Sequence, residues 1–211
     1  EETPPRQARP PLLQRPDDEA AGQGDGEGSH RRMAGNEVNM SLREDQRVIE
    51  FVREAKGLRT LLESDPAETT TWPRSLLVTL ASLYALALKL PDIEVGEEEE
   101  LRVPKEFDVT TEEKVVIWNR VERIFGKHDR YHDVYDPADA HDHEVVGGVL
   151  SDDLSDIHRD IVPGLRAWEA IQDEELARLA VYDWRAMLEF HWGRHATDAI
   201  RVLHYLVEDG G

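Results

Sequence analysis

Cysteine is absent from the 211 residues, aromatic residues make up only 7%, and 25 Lys and Arg stand against 45 Asp and Glu. Without thiols there is no disulfide framework, thiolate zinc site, iron–sulfur cluster or cysteine nucleophile. Any metal would have to use His, Asp or Glu. The formal net charge of −20 argues against gripping a nucleic-acid backbone, which needs clustered Lys and Arg, and against docking on anionic lipid. Also missing are a Gly-rich phosphate loop, a Gly-x-Ser-x-Gly elbow and a dinucleotide fingerprint, which disfavours nucleotide-binding folds and serine hydrolases. What is present is 39% hydrophobic residues, enough for one core.

Residues 1–40 differ from the rest. They hold 5 of the 11 prolines, 5 of the 14 glycines and no aromatic residue. Such a segment buries too little apolar surface to offset its ordering entropy, so it reads as a disordered or non-native extension ahead of a domain at 41–211. It lacks the apolar core of about 7–15 residues that a secretory signal needs. Met40 is expected near the domain start. The extension carries a net charge of −3, leaving −17 to the domain.

From Leu42 the periodicity is helical. Val48, Phe51, Val52, Ala55, Leu58 and Leu62 recur at three and four, and Asp65-Pro66 ends the run. Pro73 to Leu90 is apolar almost all round, yet too short and too interrupted for a membrane span of about 20 residues, so a central buried helix is expected. Thr110 and Glu113 have capping-box spacing and open a helix faced by Val115, Trp118, Val121 and Phe125, expected to reach Tyr135. Ser151 is expected to cap a fourth helix with the stripe Leu154, Ile157, Ile161 and Leu165, kinked or ended at Pro163-Gly164. A last helix is expected over about 173–207. With no strand pattern of comparable strength, the fold class is all-α, a single bundle of about five helices.

Seven of the nine histidines lie between His128 and His195. On the last helix, His191, His195 and Asp198 project toward the apolar stripe, while His204 projects to the surface. Two histidines at i and i+4 with a carboxylate at i+7 form a plausible three-ligand set for Zn²⁺, Mn²⁺ or Fe²⁺. A hydrogen-bonded polar core, with Arg185 or Arg194 pairing a buried Asp, accounts for the same residues without any cofactor. Asp153, Asp156 and Asp160 share one side of the fourth helix, read as flank or solvent positions, with His158 nearer the stripe. An acid row of that kind also suits Mg²⁺ through phosphates. The His141-Asp142-His143-Glu144 cluster reads as a solvated loop.

Asp152 to Asp160 with Gly164-Leu165, and His191 to Ala199 running on to Arg201, Leu203 and His204, resemble the signature of a bacterial family known only as domain of unknown function 5063. Tyr131, Tyr135-Asp136-Pro137 and Leu83-Tyr84 through Leu90-Pro91 match similar segments. The resemblance covers about 42–207 and implies a small helical bacterial protein, with no activity to carry over. The chain departs from it at His158, where Tyr is expected, and at Pro163.

The leading expectation is a cytoplasmic, non-enzymatic accessory protein that binds another protein, its acidity favouring a basic partner. The alternatives are a metal-dependent hydrolase centred on His191, His195 and Asp198, with Asp153 or Asp156 opposite, and an immunity-type or nucleic-acid-mimicking inhibitor. The candidate polar site comprises His191, His195, Asp198, Arg194, Asp153, Asp156, His158, Asp160 and Tyr131. Buried neutral His191 and His195 would make the protein unfold on acidification.

Overall fold

Asp45 opens the first helix by accepting from the Arg47 backbone N–H with its side chain, and α1 then runs over Gln46–Glu63. All six residues of its periodic face are buried. The computed structural model describes residues 41–65, 71–93, 102–134, 138–139, 141, 144–170 and 173–209. All of these fall in one compact unit, Asn39–Gly211. The readings of residues 1–40, of Met40 and of Tyr135 to Pro137 lie outside the described residues.

Helix α2 (Trp72–Ala87) has Pro73 in its first turn, where a missing N–H costs no intrahelical bond. It is not the central helix. Trp72, Leu76, Leu80, Leu83 and Ala87 are buried, but Val78 and Leu88 are 60% and 62% exposed, and it packs mainly on α1 and the last helix. Helix α3 (Thr111–Phe125) begins with the expected Thr110–Glu113 capping box. Its buried face is Ile117, Val121 and Phe125, whereas Val115 is exposed. Instead of continuing to Tyr135, the chain breaks at Gly126, whose φ of 54° is a left-handed conformation suited to glycine. A two-stranded antiparallel hairpin follows, β1 (Arg130–Val134) against β2 (Val145–Val149), with Tyr131 opposite Gly148. A Cβ at Gly148 would lie 2.1 Å from the Tyr131 ring, so this glycine seats the tyrosine. Exposed His141 has its backbone N–H on Asp139 Oδ1, and Asp142 and His143 lie outside the described residues.

The central element is α4 (Leu150–Ala170), which packs on α1, α3 and both helices that follow it. Ser151 does not cap it. Asp129 does so from outside, accepting from the Ser151 N–H at 2.8 Å and the Ser151 hydroxyl at 2.9 Å. Pro163 and Gly164 lie within the helix rather than ending it. Gly164 permits close approach of Trp184, whose indole N–H reaches the Ile161 carbonyl at 3.1 Å. Trp184 in turn packs on Phe51 at a centroid distance of 4.8 Å.

The expected long last helix is two helices, α5 (Glu174–Phe190) and α6 (Trp192–Asp209), meeting at His191, whose φ of −147° and ψ of −78° are not helical. A Cβ on Gly193 would lie 2.1 Å from the Leu188 carbonyl oxygen, so only glycine admits this junction. The result is all-α with one small hairpin, six α-helices among the described residues, and none long and apolar enough to cross a membrane.

Candidate metal centre

A helix enclosed on several sides must bury polar positions as well as apolar ones. Asp153 and Asp156 of α4 are therefore buried, at 5% and 7% exposure, and not on its solvent flank. Burying a carboxylate requires partners, and the α5–α6 junction supplies them. His191 Nδ1 lies 2.6 Å from Asp160 Oδ2, and His195 Nδ1 lies 2.7 Å from Asp153 Oδ1. The two imidazoles stand edge to face, 4.7 Å between centroids.

Each carboxylate accepts from Nδ1–H, which selects one tautomer and leaves Nε2 as the nitrogen open to an ion. His195 Nε2 is 3.8 Å from Asp156 Oδ2. One ligand atom from each of Asp156, His191 and His195 falls within 4.8 Å of the other two. Ligand atoms around a tetrahedral ion at ~2.1 Å are roughly 3.4 Å apart, so side-chain rotations of about 1 Å would close the set. The Nδ1 edges form the hydrogen-bonded polar core, and His195 Nε2 lies on the side of Asp156.

The surrounding groups fix this arrangement. Lys114 Nζ and Arg159 hold Asp156 Oδ1 at 2.6 and 3.1 Å, which turns Oδ2 toward the histidines. The Tyr131 hydroxyl donates to Asp153 Oδ2 at 2.6 Å. Burial, reinforced by the Asp153 charge, holds that phenol far above its ordinary pKa, so it stays a donor. Burial pushes the Asp153 carboxyl up against the opposing pull of His195 and Tyr131. Burial disfavours the charged His195 imidazole, but the Asp153 carboxylate outweighs this and raises its pKa. The pairing thus favours the proton on His195, while burial is what lifts Asp153. Because the Asp153 carboxylate raises the His195 pKa, protonating His195 on acidification does not by itself destabilise the fold. The His191 and His195 side chains are 34% and 22% exposed, so their edges are within reach of water.

Other expected members lie elsewhere. Asp198 is not in the converging set; it is hydrogen-bonded to Asp133, and burial together with the charges of Asp133 and Asp153 lifts its pKa to about 6. His158 is buried with Nε2 3.0 Å from Glu63 Oε1, and burial holds its pKa below the ordinary value. Arg194 is exposed on the wall of a separate cleft with Tyr84 and Arg185. Arg185 pairs with exposed Asp92 at 2.6 Å, not with a buried acid. His204 is on the surface as expected. Sequence reasoning missed Lys114, Asp129 and Asp133 as partners. Asp129 and Asp133 lie outside the α-helices, where periodicity gives no signal, and nothing in the helical pattern links Lys114 to α4. A groove of about 500 Å³ lies beside the centre, lined among others by Arg159, Asp160, Tyr182, Asp183 and Phe190.

These features define a helical protein with an inward histidine–aspartate centre bridging α4 and the α5–α6 junction. The chain belongs to the family described as domain of unknown function DUF5063, whose model matches residues 43–209. Among solved structures it is similar to protein BF1032 from Bacteroides fragilis, with a TM-score of 0.64 and 23% identity over 78% of this chain and 94% of that one. That likeness concerns the fold alone. No curated protein matches the chain.

Proposed function

We propose that this protein holds a divalent ion, Zn²⁺, Mn²⁺ or Fe²⁺, through Asp156, His191 and His195, and uses an ion-bound water for hydrolysis. The observation that carries the reading is the paired tether of His191 Nδ1 to Asp160 and His195 Nδ1 to Asp153, behind ligand atoms within 4.8 Å of one another. A carboxylate behind each imidazole raises ligand basicity and fixes ring orientation. Three protein ligands leave a position open for water, the pattern of catalytic rather than structural sites. The groove is lined by Asp160, the carboxylate that holds His191, and offers a substrate room on that side.

The test is to strip the protein with EDTA, add each ion, and follow elemental content and thermal unfolding. An ion at 100 times its Kd stabilises by about 2.7 kcal/mol, which for a domain of this size raises Tm by roughly 5–10 °C. The shift should vanish in Asp156→Asn and His191→Ala, and ester or phosphoester cleavage should return only with the ion. Absence of any shift or stoichiometric ion would remove the reading.

A second reading, an accessory protein with a basic protein partner, is favoured by Phe190. It is 78% exposed on the same groove as Asp160 and Asp183. Capture of such a partner should weaken with salt and with Phe190→Ser. The inhibitor reading has less support, since Asp153, Asp156 and Asp160 face inward onto cationic partners rather than forming an outer acidic stripe.

A further inference from the structure

A second cleft, of about 240 Å³, lies between the turn after α3, strand β1 and helix α6. Its polar lining is basic: Lys127, His128, Arg130, His132 and Arg201, with no carboxylate among the lining residues. In a chain with 45 acidic and 25 basic residues this local inversion of sign is unexpected. Among the described residues Lys127 and Arg130 make no ion pair. Arg201 is held in place by Asp133 at 2.7 Å.

Local geometry explains the clustering. Arg130 and His132 are two apart on β1, so they share the exposed face of the strand while Tyr131 points inward. Gly126 turns the chain out of α3, which brings Lys127 and His128 alongside. On α6, Arg201 and Tyr205 are four apart and lie one above the other, and Tyr205 is 62% exposed.

We infer that this cleft binds a small phosphate-bearing anion. Arg130 and Arg201 offer planar forks suited to phosphate oxygens, and Lys127 adds a compact charge. Val202 and Leu206 form an apolar floor beside them. The volume lies below the ~300–1,000 Å³ of pockets for drug-sized ligands, which fits pyrophosphate or a small phosphate monoester. The assignment does not rest on the metal reading: none of these five residues belongs to the set of Asp156, His191 and His195.

The full chain, kept in EDTA so that no ion bridges the anion, would be titrated calorimetrically with pyrophosphate and with citrate at constant ionic strength. Pyrophosphate should bind at one site per chain and more tightly than citrate. Kd should rise at least tenfold in Arg130→Ala and in Lys127→Ala. Both side chains are exposed, and unchanged far-UV circular dichroism would verify folding; His132→Ala provides an independent variant, expected to weaken binding several-fold. Failure to bind pyrophosphate, equal binding by the variants, or tighter binding of citrate would each overturn the assignment.

Discussion

Asp153 and His195 are joined across the packed faces of α4 and α6, with Nδ1 2.7 Å from Oδ1. The pair makes the buried carboxylate tolerable and also fixes which imidazole edge faces Asp156. The same contact therefore serves folding and the proposed ion site, which variants can separate.

Asp153→Asn and Asp160→Asn keep the size of the side chain but remove the charge behind each imidazole. Ion affinity, measured by competition with a chromogenic chelator, is expected to fall about 10–100-fold in each variant. Unchanged affinity would mean that the carboxylates serve the fold alone.

Tyr131→Phe removes the donor on Asp153 Oδ2, leaving a buried carboxylate oxygen without its 2.6 Å partner. A loss of about 1–3 kcal/mol in urea denaturation is expected, since an unsatisfied buried acceptor costs that much. A change within error would show that water replaces the hydroxyl.

Gly193→Ala should be among the most damaging single-methyl changes in the chain. Its Cβ would meet backbone at 2.1 Å, the Leu188 carbonyl, which no side-chain rotation relieves. The expected cost is about 3 kcal/mol, together with loss of ion binding as His191 and His195 move apart. Gly147→Ala, with nothing within 4 Å of its added carbon, is the control and should leave both unchanged.

Asp198 supplies a pH prediction. Its folded pKa of about 6 lies above the ordinary carboxyl value, so between about pH 4 and 6 the native state binds more protons than the unfolded state. Stability through this group is then present at low pH and lost as pH rises through 6. Asp198→Asn keeps a donor for Asp133 and removes the like charge, so it should flatten that step and raise stability at pH 7.5 by about 1 kcal/mol after solvent screening. Chemical denaturation of both proteins from pH 4.5 to 7.5 reads the difference directly.

Much of the bundle was legible in the chain. The α1 face and the Thr110–Glu113 box depend on contacts within a few residues, which periodicity and capping rules describe. Helix α2 misled because apolar composition alone does not say which neighbours cover it, and α4 proved central although it is rich in aspartate. The 173–207 segment misled at His191, where a continuous wheel assumes helical dihedrals that the Gly193 contact with Leu188 forbids.

The missing thiols, the acid excess and the short-range helical patterns are properties of composition and spacing, so the sequence alone determined a helical fold, a net charge of −20 and the absence of thiolate chemistry. Which aspartate faces which histidine depended on tertiary packing. Asp156, not Asp198, lies with His191 and His195, while Asp198 meets Asp133 from the hairpin. Residues more than thirty positions apart meet only when a buried helix demands partners for its carboxylates, and no local rule encodes that demand.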